Sequence, residues 1–335
     1  MAAGPVGIIA NPASGKDIRR IVARASTFDN QEKRNIVRRA LAGALAAGAD
    51  RFLYMPDCYG IVSEAADEGG YEATFTAVES PDTASALDTI RAARQMKEAG
   101  CAVVITLGGD GTNRAVALGW QDVPVVPIST GTNNVFPSMV EATVAGAAAG
   151  LVAAGAVTLA EVSHQAKLVH AQIDGERDDI ALIDAVFINE IFVGSRAIWD
   201  PARLKLAVLT RADPAAVGIS ALGGLLHPLQ DSDESGLLLQ FGGDAGVFAP
   251  IAPGLYREVA VRDFYQIAAG EAIGIEGPGV LALDGERERV LKPGQRATLQ
   301  VARDGPYVVD IGRALTLAAE RGSFRMNSIE VSHGN

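Results

Sequence analysis

Three stretches hold residue types that could do chemistry: "NPASGKD" (11–17), "GGDGTN" (108–113) and "STGTNN" (129–134). Each follows a short aliphatic run: "VGIIA" (6–10), "CAVVITL" (101–107) and "VPVVPI" (123–128). Glycine at a strand tip lets the backbone approach a ligand, and N–H groups opening the next helix bind phosphate oxygens. The candidate nucleotide- and phosphate-binding residues are Asn11, Ser14, Gly15 and Lys16 in the first loop and Gly108, Gly109, Gly111 and Thr112 in the second. Thr130, Gly131, Thr132 and Asn133 complete the set in the third. Asp110, a carboxylate set among glycines, could take a proton from a hydroxyl or help place Mg2+. Backbone donors, a divalent metal and a base aligned on an acceptor hydroxyl are the parts of phosphoryl transfer. One such loop is an ordinary turn; three on neighbouring strands point to a ligand crevice. Neither a Walker A spacing nor a G-x-G-x-x-G after the first strand is present.

The elements that must position these loops alternate between strand and helix up to about residue 130. Helical patterns at 17–25, 30–48, 60–68 and after Ser80–Pro81 separate strands at 6–10, 51–55, 73–78, 101–107 and 123–128. Ser80 is the expected cap of its helix and Pro81 its first residue; Thr112 is the expected cap of the helix after "GGDG". The pattern predicts an α/β, Rossmann-like first domain with a parallel sheet covered on both faces. In such sheets ligands bind beyond the carboxyl ends of the strands. After about residue 156 short alternating segments separated by turns, among them "DIALIDAVFI" and "GVLALD", predict a mostly antiparallel β-sandwich-like domain. The expected division is 1–136 and 137–310, followed by a helix near 311–322. "FGGDAG" (241–246) reads as a loop and "DGER" at 174–177 as a plain hairpin. His164 and His170 alternate on a strand with no metal-type spacing, and no metal ligands are assigned.

The chain has 335 residues, 48% hydrophobic and 21% charged, with a formal net charge of −11. That charge argues against a nucleic-acid or anionic-membrane partner, since both require a basic surface. The run at 139–155 is too short for a membrane span and reads as a small-residue helix. No basic segment leading into an apolar one marks a signal peptide, and Cys58 and Cys101 read as reduced core residues of a cytoplasmic protein.

"GGDGT" after a hydrophobic strand, with "NPASG" upstream, resembles the superfamily of NAD kinases, diacylglycerol kinases and sphingosine kinases. "PISTGTNN" is similar to the lipid-kinase form of the third loop. "FINEIFVG" (187–194) resembles the Asn–Glu motif of NAD kinases, "ISALGGLLHP" (219–228) their later glycine-rich stretch, and "LALDGERE" (281–288) the late Asp-Gly-Glu element. The long "NPASGKDIRR" opening is most similar to the ATP-NAD kinase-like acetoin-catabolism X proteins.

The resemblance implies a cleft between the domains for ATP, Mg2+ and a small-molecule or nucleotide acceptor, with Asp110 catalytic. It implies that Asn189 and Glu190 face the glycine loops as acceptor ligands, joined by Asp284 and Glu286. It also implies that the segment 311–335 returns to the first domain. A homodimer is the expected assembly. One departure stands out: the Thr-Pro-Thr-Gly-Ser-Thr-Ala-Tyr block with which NAD kinases hold NAD is replaced by "TRADPAAVGISALGG" (210–224). A diacylglycerol-type lipid kinase and a nucleotide-binding regulator without turnover are the alternatives.

Overall fold

The computed structural model describes residues 4–14, 29–80, 83–131, 133–189 and 201–325. In chain order its first layer contains β1 (Val6–Ala10), α1 (Asn30–Ala46), β2 (Arg51–Tyr54), α2 (Ile61–Gly69), β3 (Thr74–Ala77) and α3 (Ala86–Glu98). It continues with β4 (Val103–Gly108), α4 (Asp110–Gly119), β5 (Pro124–Ser129), α5 (Ala142–Ala153), α6 (Leu159–Val162) and β6 (Ser163–Gln165). Next come β7 (Leu168–Ile173), β8 (Asp179–Ala181), β9 (Asp184–Ile188), β10 (Leu204–Leu209), α7 (Ile219–Leu226), β11 (Gly236–Ala252) and β12 (Leu255–Ile267). The last elements are β13 (Ile273–Glu276), β14 (Gly279–Leu283), β15 (Glu286–Leu291), β16 (Arg296–Ala302), β17 (Tyr307–Val309) and α8 (Ile311–Glu320).

The α/β expectation holds. Strand order in the first sheet is β3-β2-β1-β4-β5-β17-β6, with β1 to β5 parallel. β1 and β4 are buried along their whole length, as strands covered on both faces must be. One face packs on α1, α2, α5 and α8, and the other on α3 and α4. The layer does not stop at residue 136. α5 lies against α1, while β6, β17 and α8 belong to the same layer from either side of the β-rich region. The alanine-rich run at 139–155 is therefore a packed helix. A Cβ on Gly146 would sit 1.9 Å from the Ala40 carbonyl oxygen, so only glycine permits this α1–α5 approach.

The second region stacks a six-stranded sheet, β12-β11-β10-β9-β14-β15, on a four-stranded one, β13-β16-β7-β8. β9 shows the two-residue period of such a layer. Ala185 and Phe187 face the core between the sheets, while Val186 and Ile188 face the core under α7.

Several local expectations are corrected. α3 is capped by Ser85, whose side chain and Asp88 form a reciprocal capping box, so the cap lies five residues after Ser80; Pro81 lies outside the described residues. α4 begins at Asp110 with Gly109 as its cap, and Thr112 is already inside it. "FGGDAG" is a bulged part of β11, where Gly242 and Gly243 at φ 95° and 90° absorb a register shift against β12. Cys101 is buried, but Cys58 is exposed in the turn before α2. His164 and His170 stand on β6 and β7, in different sheets, each against its own carboxylate, Asp231 and Asp304. The helical stretch at 17–25 lies outside the described residues.

Candidate functional site

β1, β4 and β5 end side by side, which brings their loops together. The Asn11 amide donates to Thr112 Oγ1 at 2.9 Å, and Thr130 Oγ1 donates to Ser14 Oγ at 3.0 Å. The first loop is shaped from below by a residue the sequence reading passed over. Lys33 of α1 is fully buried, with Nζ 2.9 Å from Asn11 O, 3.0 Å from Pro12 O and 2.7 Å from Ser14 O. A signal was available: Lys33 occupies the same helical stripe as Val37, Ala40, Leu41 and Ala44, all buried.

The second loop is forced into its path. A Cβ on Gly108 would lie 2.4 Å from Thr112 Cβ, and one on Gly109 would lie 2.6 Å from Asn134 Oδ1. Asn134, not among the expected residues, donates to Ser129 Oγ at 2.7 Å and so ties the two ends of the third loop together beside Gly109. Its neighbour Asn133 is half-buried in the same loop. Gly131 is buried there, its carbonyl accepting from Ser129 Oγ at 2.6 Å. At the foot of the loop, Asn113 bridges Thr106 Oγ1 and Gly109 O, both within 3 Å.

Asp110 opens α4, where the positive end of the helix favours a carboxylate. Its Oδ1 accepts from Phe136 N at 2.8 Å, and both oxygens lie 3.1 Å from Val135 N. Burial pushes its pKa up, against the pull of those two N–H groups and of Arg211.

The β-rich region contributes the turn between β14 and β15. Glu286 stands over Gly111, its Oε1 3.5 Å from where a Cβ would be. Asp284, at φ 49°, accepts from Leu182 N and Ile183 N at 2.8 Å each and from Asp184 N at 3.2 Å. Those bonds pin the chain where "DIALIDAVFI", expected as one segment, breaks into β8 and β9 and changes sheet. Asp284 thus spends its carboxylate on backbone donors.

Burial, the neighbouring Asp110 charge and the opposing N–H bonds leave the Asp284 pKa at about 7. A carboxyl raised in this way holds its proton more tightly folded than unfolded. Its contribution is complete below the usual carboxylate range and is lost as pH rises through 7. Melting temperatures of wild type and Asp284→Asn between pH 4.5 and 8.5 should therefore shift in the variant's favour as pH rises. A pH-independent gap would overturn this account of Asp284.

Behind the turn sits a buried ion cluster. Asp179 Oδ1 is 2.7 Å from Arg114 of α4, and its Oδ2 is 2.7 Å from Arg289 of β15. Burial alone would raise Asp179, but the two guanidiniums hold it below the usual range. This cluster ties the helix that carries Asp110 to the hairpin that carries Glu286.

Asn189 ends β9, its N–H donating to Arg203 O at 2.8 Å, at the opposite end from Asp184. Five residues of strand separate the two, roughly 16 Å at the usual rise. Asn189 thus lies at the other end of β9 from the strand end that Asp284 pins. Gly15, Lys16, Thr132 and Glu190 lie outside the described residues. Among the described residues no three His, Cys, Asp or Glu side chains form a metal-binding group.

Comparison with known proteins places the chain. It is 38% identical over 336 residues to acetoin catabolism protein X of Cupriavidus necator, covering 96% of this chain and 94% of that protein. The chain belongs to the acetoin catabolism protein X family. Residues 167–304 match that family's C-terminal domain, and residues 6–157 match the ATP-NAD kinase N-terminal domain. Among solved structures, yeast NADH kinase complexed with NADH aligns over 98% of this chain and 90% of its own, with TM-score 0.53 and 13% identity. At that identity the likeness is one of fold, and the family shares the NAD kinase-like fold. A putative diacylglycerol kinase from Bacillus anthracis str. Sterne aligns with TM-score 0.42 and 13% identity, over 92% of this chain and 99% of that one.

Proposed function

We propose that the protein is an ATP-dependent phosphotransferase that moves a phosphoryl group to a hydroxyl of a small metabolite. One observation carries this reading: the first, second and third loops and the β14–β15 turn converge on Asp110. The strand-end loops and the start of α4 would hold the nucleotide phosphates. Asp110 would accept the proton of the attacking hydroxyl, and Glu286 would face the acceptor. The donor set suits Mg2+ carried on the nucleotide's phosphates, because Asp110 and Asp284 already accept backbone N–H bonds. Mg2+ would supply charge neutralisation on the phosphates.

NAD is a poor acceptor in this reading, since "TRADPAAVGISALGG" (210–224) stands where NAD kinases carry their NAD-holding block. With ATP and Mg2+, melting should shift upward by mass action. NADP formation from micromolar NAD should be slow or absent. Rapid NADP formation would overturn the acceptor assignment, and no shift with any nucleoside triphosphate would overturn the kinase reading.

A further inference from the structure

Arg211 lies just beyond β10, in the segment that replaces the NAD-holding block. The backbone around it is fixed. Ala212 forms a bridge with Leu229, and Asp213 N donates to Ser220 Oγ at the start of α7. Its guanidinium lies over the Phe136 ring, 5.5 Å from the centroid. Phe136 is the residue whose N–H bonds Asp110 Oδ1. Arg211 therefore contacts the residue that bonds Asp110, and its charge reaches that carboxylate.

Arg34, Arg38 and Arg211 each bury an Nε without a hydrogen-bond partner, but Arg34 and Arg38 pair with Glu64 and Glu68 through their other nitrogens. Arg211 forms no ion pair with a described residue, although its charge reaches the Asp110 and Asp231 carboxylates. The other arginines at the domain junction, Arg114, Arg289 and Arg303, each have an acidic partner. A buried guanidinium nitrogen without an acceptor is costly, and arginine's planar fork suits phosphate oxygens. Stacking on Phe136 holds the group in place, so little rotamer freedom remains to be lost on binding.

We propose that Arg211 grips the γ-phosphoryl group of the nucleoside triphosphate while it transfers. The inference rests on the phosphotransferase reading and adds to it a cation from the β-rich region. In the step, the bond between the γ-phosphorus and the β–γ bridging oxygen breaks, and the electron pair leaves with the nucleoside diphosphate. A bond forms from the acceptor oxygen to the same phosphorus, and the acceptor's proton passes to Asp110. The guanidinium neutralises the equatorial oxygens throughout. Because Arg211 comes from the β-rich region and Asp110 from the α/β layer, the site is complete only with both walls in register.

The test is calorimetric titration of ATP and of ADP, each with Mg2+, into wild type, Arg211→Gln and Arg211→Lys. Arg211→Gln should weaken ATP about 10- to 100-fold, the usual worth of a charge-assisted hydrogen bond, and leave ADP within about twofold. Arg211→Lys should recover part of the ATP affinity. Melting temperatures of the ligand-free variants show that the fold is kept. An unchanged ratio of ATP to ADP affinity in Arg211→Gln would overturn the assignment and leave the phosphotransferase reading standing. Wild type that binds neither nucleotide would overturn both.

Discussion

Asp179→Ala should lower the free energy of unfolding by about 3–5 kcal/mol, measured by denaturant titration. The reason is what the substitution leaves behind. Arg114 and Arg289 converge on one carboxylate that is 3% exposed, and Arg114 itself is 4% exposed. Arg114 Nε also donates to Ile180 O at 2.6 Å, so the guanidinium cannot swing out to water without breaking a second bond. Taking the carboxylate away from a guanidinium as buried as Arg114 costs far more than the pairing itself contributes, whereas Arg289 is 27% exposed and keeps Glu176 at 3.6 Å. The triple variant Asp179→Ala, Arg114→Met, Arg289→Met removes the charges together and should regain most of the loss. Full stability in the single variant would show that the cluster is hydrated and does not hold the hairpin to α4. Loss of function should exceed loss of fold, because the hairpin sets Glu286 over Gly111.

That cluster also marks the limit of what the sequence discloses. The parallel sheet was legible because buried strands are continuous aliphatic runs and their loops carry glycine. Asp110 was legible because a carboxylate between glycines at a strand tip has no packing role. Asp179 meets Arg114 across 65 residues and Arg289 across 110, and no local periodicity records such pairing. α4 is buried nearly all round, so Arg114 has no polar stripe to betray it. Asn133 and Asn134 are adjacent and chemically identical. Only the third dimension shows that Asn134 is the one that blocks a side chain at Gly109. For Asn189 the motif says nothing of which end of the strand it occupies: β9 pairs antiparallel with β14, which sets Ile188 opposite Val280 and so Asn189 at the far end of the hairpin from the Asp284 turn.

Asp110→Asn should reduce turnover by roughly two to four orders of magnitude if the carboxylate is the general base, the usual range for such a group. The structure adds a cost that a free loop carboxylate would not carry. Asp110 accepts from both Val135 N and Phe136 N, and an amide can present only one acceptor oxygen to them. Oδ1 alone lies within reach of both donors, so an Asn with its oxygen in that place keeps both bonds and loses only the share of Val135 N that Oδ2 takes, which should cost at most about 1 kcal/mol of stability. The two effects separate when turnover is expressed per folded molecule, with folded fraction read from the same preparation. They separate again with pH. Burial raises Asp110, so the acidic limb of the wild-type kcat/KM profile should lie above the ordinary carboxylate range. Asp110→Asn should abolish that limb, because nothing at position 110 then titrates. A variant whose folded molecules turn over at the wild-type rate with the limb intact would leave Asp110 as a clasp on the third loop, and the base would have to be sought elsewhere.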